Sequence, residues 1–390
     1  MTTTVHIVTS HFPPETGGLE RWTCDLAAAL GAAGLRPVVY VCEDGEVARF
    51  HRGAPFEVVD LGPLRAPWEA PLRGSGMDGP RRARERSRLT FACLRAEVAR
   101  RLGPAANLVL SNFVTTAGFT AHLAAEALGL PHVAVVAGTD FTRGFRNGDE
   151  RHTVLEVCRG ARWVVGKSEE QLRAILRRLP DVPCSVIETS VEPPERRWRR
   201  APGGEVVIFS DGGFNFKKGT GVLMDAFVAL RARGVPARLV ICGTDQAGQQ
   251  EYWAARRREL DADASLPVCF PGYLPRAQII DAICEADLYA SATLGEGASA
   301  ARALALCLGV PVVTTACGEL ADDPGAAHVR RVPVADAAAF HDALHALAAD
   351  LLAGRVRVDD AAVEGFRARF DPRREWAAWS SLLRRVAADG

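Results

Sequence analysis

The strongest constraint on the fold is an alternation of short apolar runs with longer amphipathic segments. It opens with an apolar run at 5–10, continues with a helical pattern at 19–30 and returns to an apolar run at 38–42. Apolar runs of this kind are typical of strands buried on both faces, and the intervening helices cover the sheet that they form. The alternation therefore predicts an α/β fold with doubly wound parallel sheets.

The alternation occurs in two series, separated by a break at residues 192–205. The break holds a proline pair, four arginines and a glycine pair, a composition typical of a linker. A chain of 390 residues also exceeds what one hydrophobic core usually supports. We therefore predict an N-terminal domain over 1–195, joined by a last helix within 372–390, and a C-terminal domain over 205–371. Further strands are predicted at 56–61, 108–111, 133–137, 163–166, 185–187, 206–211, 238–243, 268–271, 287–291 and 310–314, with helices at 95–102, 115–128, 169–179, 221–233, 250–261, 276–285 and 300–308.

Composition limits the partners and the compartment. Lysine and arginine together balance aspartate and glutamate at 47 each, so no overall charge attracts nucleic acid or an anionic membrane. The ten cysteines are dispersed, without a C-x-x-C pair or zinc spacing, which indicates reduced thiols. The first residues lack a signal-peptide pattern, and no apolar stretch approaches a membrane span. We expect a cytoplasmic protein that has no nucleic-acid partner; peripheral membrane association stays open.

Residues 286–313 carry the most functional information. They combine a short apolar strand, a loop of small residues with a single acid, Glu296, a helix rich in alanine and leucine, and a second apolar strand. A loop of this kind directs backbone N–H groups and a helix N-terminus at whatever lies above the sheet. The pattern favours a site for a diphosphate or a sugar ring.

This segment resembles the sugar-nucleotide site of the retaining GT-B glycosyltransferases, the "glycosyl transferases group 1" family of the glycosyltransferase family 4 type. That family has Glu-Gly-Phe-Gly here, a second glutamate eight residues after the first, and then Gly-x-Pro-Val-Val. The chain keeps Glu296, Gly297, Gly309 and Pro311 but has Leu304 in place of the second glutamate. The resemblance implies two Rossmann-like domains facing each other across a cleft, with a nucleoside diphosphate sugar bound by the C-terminal domain.

The loop after the first strand resembles a second station of the family. Gly17 and Gly18 stand where a glycine pair lets the backbone approach the donor phosphates near a helix N-terminus. A tight turn between strand and helix is the structural alternative for such a pair.

A third station follows the strand predicted at 133–137. Gly138, Thr139 and Asp140 resemble a His-Gly-Thr-Asp loop that touches the transferred sugar in this family, with Ala137 in place of its histidine. The resemblance implies that Asp140 accepts hydrogen bonds from sugar hydroxyls. The alternative is that its carboxylate caps the following turn.

The fourth station is the glycine-rich segment 209–219. Lys218 fits the family's lysine, which faces the donor diphosphate, whereas Gly213 occupies the position of its arginine. A cation here stabilises the charge that builds on the leaving group, and Lys217 is a candidate to replace the missing arginine. Gly212 is a further donor-binding candidate, because it belongs to the same glycine-rich loop whose backbone can approach the diphosphate. A solvated lysine pair is the alternative.

Glu296 is the acid that we expect to act in the site. A carboxylate above a helix N-terminus can bind hydroxyls of the donor sugar, while the amides of Gly297, Ala298 and Ser299 face the sugar and the phosphate. A helix cap is the alternative role for Glu296.

Leu304 removes the carboxylate that binds the ribose hydroxyls in the family. Either the donor nucleotide lacks the 2′-hydroxyl, as in a thymidine diphosphate sugar, or another residue holds the ribose. Arg302 is a nearby donor-binding candidate, but it lies two positions from Leu304, and residues two apart on a helix do not share a face. We therefore expect the Arg302 side chain to be exposed.

The arginine-dense segment 73–101 overlaps a proline- and glycine-rich stretch at 63–79. Without a clear apolar face, it predicts a mobile, solvated loop with a helix that can close over an acceptor. Docking to anionic lipid is the alternative.

Together the four stations imply a retaining glycosyltransferase that moves a sugar to a hydroxyl or amine of a small-molecule acceptor, such as a natural-product scaffold. The resemblance implies no metal and no cofactor beyond the donor substrate, and the one Asp-x-Asp run, 261–263, lies at the end of a predicted helix. It also implies front-face attack, in which the departing phosphate oxygen removes the acceptor proton.

Two alternatives stay open. The departures at Ala137, Gly213 and Leu304 suit a catalytically silent GT-B protein that binds a sugar nucleotide or a partner enzyme. A sugar-nucleotide epimerase or hydrolase on the same two-domain plan is the other.

Overall fold

The computed structural model describes residues 2–10, 12–13, 18–42, 54–73, 79–148, 150–200, 204–322 and 325–389. The chain divides into two compact units. The N-terminal unit is Met1–Glu188 with Arg373–Gly390, and the C-terminal unit is Thr189–Pro372. Each unit has its own parallel sheet covered by helices.

The N-terminal unit is built on a seven-stranded sheet in the order β3-β2-β1-β4-β5-β6-β7. All of its strand pairs are parallel, and every residue of β1, which lies between β2 and β4, is buried. The strands are β1 Thr4–Thr9, β2 Arg36–Val41, β3 Glu57–Asp60, β4 Asn107–Asn112, β5 His132–Val136, β6 Trp163–Gly166 and β7 Cys184–Val186. The helices are Gly18–Ala32, Leu61–Arg73, Gly79–Ala99, Ala117–Leu128, Thr139–Phe141 with a π-helical continuation over Thr142–Asn147, Arg151–Gly160, Glu169–Leu176 and Pro372–Ala388.

The C-terminal unit is built on a six-stranded parallel sheet in the order β10-β9-β8-β11-β12-β13. The strand order reverses between β8 and β11, and ligands of open α/β sheets bind beyond the carboxyl ends of the strands at such a point. The strands are β8 Val206–Ser210, β9 Ala237–Cys242, β10 Val268–Gly272, β11 Leu288–Ser291, β12 Val312–Thr315 and β13 Val329–Val332. The helices are Thr220–Ala232, Gln250–Asp261, Arg276–Glu285, Ala300–Leu308, Ala337–Leu352 and Asp360–Arg369, with a 3-10 turn at Gly318–Leu320.

The predicted α/β fold with two doubly wound sheets is confirmed, and the helices predicted at 250–261, 276–285 and 300–308 have the predicted bounds. Apolar clusters cover both faces of the C-terminal sheet, as expected for strands without alternating polarity. Strand β13 and the two helices that follow it were not predicted. Helix Ala337–Leu352 is rich in alanine and has no acidic residue in its first turn and no basic residue in its last, although Asp336 caps its N-terminus by accepting from the Ala339 amide at 2.9 Å.

The prediction of an irregular loop is wrong for Leu61–Arg73, which is a helix despite its prolines. The physical reason is Arg65, which is fully buried. Its guanidinium pairs with Glu69 one turn later and donates to the Cys42 carbonyl oxygen at 2.6 Å and to Thr90 Oγ1 at 2.9 Å. These tertiary contacts outweigh the low helix propensity of the segment. The rest of the predicted loop, 74–78, lies outside the described residues.

The C-terminal helix Pro372–Ala388 packs on the N-terminal unit through two tryptophans. The rings of Trp22 and the fully buried Trp379 lie 5.7 Å apart. Glu375 Oε1 accepts a hydrogen bond from Trp22 Nε1 at 2.7 Å and lies 3.4 Å from Lys167 Nζ. Burial lowers the pKa of Lys167, and the Glu375 carboxylate opposes that shift. A buried ion pair thus ties the last helix to the end of β6.

The N-terminal unit should lose stability in acid, because two of its imidazoles are buried. Burial lowers the pKa of His6 to about 4 and that of His132 to about 3. Below pH 6.5 the unfolded chain binds protons that the folded chain excludes, so each imidazole should cost ~1.4 kcal/mol per pH unit between pH 6.5 and its folded pKa.

Urea unfolding of the full chain from pH 7 to pH 4.5 measures this loss. His132→Asn should flatten the pH dependence, whereas His152→Gln, at a side chain that is 93% exposed, should leave it unchanged. An equal slope in all three proteins would contradict the assignment.

Candidate active site

Two loops of the C-terminal unit meet at the point where the strand order reverses. The loop after β8 and the loop after β11 share backbone hydrogen bonds: the Leu294 amide donates to the Lys217 carbonyl oxygen at 2.7 Å. Gly219 has a left-handed φ of 67°, and a Cβ there would lie 2.1 Å from the Ala292 carbonyl oxygen. Only glycine permits this approach. The two loops are therefore fixed against each other by the backbone.

Lys218 and Glu296, one on each loop, form an ion pair. Lys218 Nζ donates to Glu296 Oε2 at 2.7 Å, and the two side chains are 29% and 11% exposed. Burial is the largest single effect and disfavours both charges, but the ion pair together with the neighbouring charges outweighs it. The pKa of Lys218 is consequently raised and that of Glu296 is lowered, with Lys217 adding to the effect on Glu296. Both groups are charged at neutral pH.

Asp211 and Tyr289 border this ion pair. Tyr289 Oη donates to Asp211 Oδ1 at 2.6 Å, and burial raises the pKa of Tyr289 far above its usual range. The Asp211 carboxylate helps to keep Lys218 protonated. The backbone of Gly212 lies beside the Lys218 side chain, since a Cβ on Gly212 would lie 3.3 Å from Lys218 Cβ. The loop after β8 thus wraps around the base of Lys218.

Gly213 explains why this chain has no arginine at that position. Its φ is 60°, and a Cβ would lie 2.8 Å from the Thr244 carbonyl oxygen. On the other side, a Cβ on Gly243 would lie 2.6 Å from Gly213 Cα. The loops after β8 and β9 touch through two glycines, so this backbone excludes any larger side chain.

The N-terminus of helix Ala300–Leu308 is capped from two directions. Ser299 Oγ accepts from the Arg302 amide at 3.3 Å, and the Ser299 amide itself donates to Glu319 Oε1 at 3.3 Å. The Ser299 amide therefore has a protein partner instead of facing open space. Gly297 and Ala298 lie in the loop between Glu296 and this cap, and their contacts with a ligand stay predictions.

The expectation that Arg302 is exposed is wrong. The side chain is fully buried, and Glu319 binds it in bidentate fashion through Nε at 2.9 Å and Nη2 at 2.7 Å. Nη1 donates to Thr314 Oγ1 at 3.1 Å. Burial opposes the charge, but the Glu319 carboxylate raises the pKa of Arg302 above its usual range. With its guanidinium occupied, Arg302 supports the loop at the helix N-terminus rather than presenting a charge to a ligand.

Leu304 lies two residues further along the same helix and belongs to the apolar cluster under it. It is almost fully buried. A carboxylate at this position would lie within this apolar cluster, at a large desolvation cost. The leucine is therefore part of the core of the C-terminal unit.

In the N-terminal unit, Asp140 adopts the turn-capping role. Its carboxylate is buried and accepts four backbone N–H bonds, from Val114, Ala137, Gly138 and Phe141, at 2.8–3.2 Å. Burial raises the pKa of Asp140 in spite of these donors. A sugar hydroxyl would have to displace one of them. We therefore correct the expected role from sugar contact to support of the loops after β4 and β5.

The structure describes only some of the remaining predicted site residues. Gly18 begins the first helix and is exposed, whereas Gly17 lies outside the described residues. Gly138 donates its amide to Asp140, and Thr139 begins the short helix Thr139–Phe141, although its side chain is not among those described. Gln171 holds this turn in place by donating to the Ala137 carbonyl oxygen at 2.8 Å.

Sequence reasoning missed Asp211, Tyr289 and Glu319. Asp211 had a usable signal, because it is a polar residue directly after a buried parallel strand. Tyr289 is hidden within an apolar strand, and Glu319 pairs with a residue 17 positions away without any local pattern.

Within the described parts of the chain, no three His, Cys, Asp or Glu side chains group as a metal site would require. Over the same residues, no helix has the length and apolarity needed to cross a membrane.

Two family models match the chain, one in each half. The model described as "Glycosyltransferase Family 4" matches residues 16–194, and the model described as "Glycosyl transferases group 1" matches residues 205–350. No curated protein matches the chain.

Several solved structures share the fold over almost the whole chain. Sucrose-phosphate synthase from Thermosynechococcus elongatus is 18% identical with a TM-score of 0.76, and the match covers 100% of both chains. Anabaena Alr3699/HepE in complex with UDP and glucose is 16% identical with a TM-score of 0.71, covering 98% of this chain and 99% of that one. An α,α-trehalose-phosphate synthase (UDP-forming) from Burkholderia vietnamiensis is 14% identical with a TM-score of 0.68, covering 100% of both.

Gly213→Ala should destabilise the C-terminal unit by about 1–3 kcal/mol, because the new methyl group combines left-handed strain with a clash against the Thr244 carbonyl. Gly221→Ala is the matched control, since its Cβ would meet only Trp253 at 3.9 Å within a helix. Urea unfolding compares the two; equal midpoints would refute the close approach of the loops.

Arg302→Met should cost about 3–5 kcal/mol of stability, because it leaves the buried Glu319 carboxylate without its partner. Arg302→Met combined with Glu319→Gln should recover much of that loss, since no buried charge remains. Thermal unfolding of the single and double variants forms a cycle. Additive losses would show that the two side chains do not interact.

Proposed function

The chain belongs to the glycosyl transferases group 1 family, and from that premise we propose that it moves a sugar from a nucleoside diphosphate donor to a small-molecule acceptor with retention of configuration. The acceptor group is a hydroxyl or an amine, and a natural-product scaffold suits the atypical site. The C-terminal unit binds the donor.

The observation that carries this proposal is the Lys218–Glu296 pair at the reversal of strand order. An ammonium group in this place stabilises the negative charge that grows on the diphosphate as the sugar leaves. A carboxylate beside it accepts hydrogen bonds from sugar hydroxyls. One cation and one acid within 2.7 Å of each other suit the junction between a diphosphate and a sugar.

Retention follows from attack on the face of the sugar that the diphosphate leaves. In this proposal the departing phosphate oxygen accepts the proton of the acceptor hydroxyl as the new glycosidic bond forms. No protein base is needed, which makes Ala137 compatible with catalysis.

The proposal needs no metal ion, because Lys218 supplies positive charge at the diphosphate and Lys217 adds to it. The charge of Lys217 reaches this place, since it contributes to the lowered pKa of Glu296. The Anabaena Alr3699/HepE structure contains UDP and glucose, which supports a sugar nucleotide as the donor.

For the nucleotide we retain two possibilities. Leu304 is part of the core, so the helix that carries it offers no carboxylate to the ribose at that position. The donor is either a deoxyribonucleotide such as a thymidine diphosphate sugar, or a ribonucleotide whose sugar is held by a residue elsewhere.

Lys218→Ala should lower kcat/KM, because it removes about 2–4 kcal/mol of transition-state stabilisation, the usual loss for one preorganised electrostatic contact. Lys217→Ala is the control and should lose less, since its effect on the pair is through space. The assay is sugar release and transfer from UDP- and dTDP-glucose, -galactose and -N-acetylglucosamine, followed by mass spectrometry. Unchanged turnover in Lys218→Ala would remove this residue from the site.

The same donor screen distinguishes the alternatives. Nucleotide binding without sugar release would identify a catalytically silent protein, which the exclusion of an arginine at Gly213 favours. Inversion of one sugar carbon without any acceptor would identify an epimerase, and release to water alone would identify a hydrolase.

A further inference from the structure

The Lys218–Glu296 pair brings the two groups proposed to contact the donor into hydrogen-bond contact with each other. The Glu296 side chain is only 11% exposed, so water replaces little of what Lys218 provides. A buried carboxylate that loses its cationic partner is strongly destabilised. A ligand that binds Lys218 therefore also affects the hydrogen bonding and the charge balance of Glu296.

A diphosphate brings negative charge to Lys218 in either of two ways. If the ammonium group turns toward the phosphate, Glu296 loses its hydrogen bond. If the ammonium group bridges both, carboxylate and phosphate lie close together and repel each other in a poorly solvated site. Glu296 opposes the bare diphosphate in both cases.

An intact donor removes this opposition. Its sugar hydroxyls donate hydrogen bonds to the Glu296 carboxylate and replace those lost from Lys218. A spent nucleoside diphosphate has no sugar hydroxyl to place there, so the hydrogen bond that Glu296 loses from Lys218 is not replaced.

We propose that Glu296 discriminates between the intact donor and the spent nucleoside diphosphate, so that transfer of the sugar itself weakens the hold on the product. This inference rests on the proposed function and adds a specificity role to an acid expected only to bind sugar. Catalysis breaks the bond between the sugar and the diphosphate. When the sugar is transferred, its hydroxyls no longer donate to Glu296. Product release is thereby coupled to completed transfer.

Calorimetric titration of the full chain with UDP, dTDP and their glucose, galactose and N-acetylglucosamine derivatives tests the proposal. The wild type should bind its best sugar nucleotide more tightly than the matching nucleoside diphosphate, although the latter carries more negative charge. Glu296→Gln should bind the nucleoside diphosphate about tenfold more tightly than the wild type and the sugar nucleotide less tightly, which reverses the order.

Asp350→Asn is the charge-matched control. It removes one carboxylate from the same unit, where Asp350 pairs with Arg355 and Arg330, and it should leave both affinities unchanged. This variant separates the role of Glu296 from a general effect of net charge.

Two results would overturn the inference while leaving the proposed function intact: a wild type that binds the nucleoside diphosphate more tightly than any sugar nucleotide yet transfers sugar, or a folded Glu296→Gln with no gain in nucleoside diphosphate affinity. The wild-type comparison decides even if the variant does not fold. Absence of all nucleotide binding by the wild type would overturn both.

Discussion

The candidate site depends on one constraint, the contact of glycine backbone with neighbouring loops at the carboxyl end of the C-terminal sheet. Gly219 lies against the Ala292 carbonyl, and Gly213 lies against Gly243 and the Thr244 carbonyl. These contacts bring the loops after β8, β9 and β11 closer together than residues with side chains would allow. Lys218 and Glu296 meet because the backbones that carry them are already in contact.

Around this constraint, buried charges are used in pairs rather than singly. Arg302 and Glu319 neutralise each other beneath the N-terminus of helix Ala300–Leu308, and Glu319 also accepts the Ser299 amide. A buried ion pair contributes little net stability, but it fixes geometry because neither partner can leave alone. Its position indicates that it holds the loop containing Glu296 in place. Asp140 in the N-terminal unit is an exception, because, among the described residues, four backbone donors and no countercharge hold its carboxyl group.

The departures from the family pattern have physical explanations within the C-terminal unit. Glycine at position 213 is required by the close approach of two loops, and Leu304 fills the core below its helix. Relative to the family pattern, glycine at position 213 removes a cation and leucine at position 304 removes a carboxylate. The remaining cation and acid, Lys218 and Glu296, are paired. The site is thus a simplified version of the one that the resemblance implied, with its charge balance kept.

The sequence by itself determined the fold class and the approximate bounds of most strands, and it selected Lys218 and Glu296, which the structure places in contact. Hydrophobic periodicity and glycine-rich loops are local signals, and parallel strands must place their carboxyl-end loops on one side. Tertiary structure alone decided what each polar side chain contacts. Arg302 is two residues from Leu304 on the same helix, and this spacing predicted an exposed side chain. Its partner, Glu319, is instead supplied by a turn that follows the next strand. Asp211 and Tyr289 likewise acquire their roles from each other across 78 positions of sequence. Asp140 differs, because three of its four donors come from its own loop and only the Val114 amide is distant. Long-range burial and pairing depend on three-dimensional neighbours, which no spacing within one helix or loop encodes.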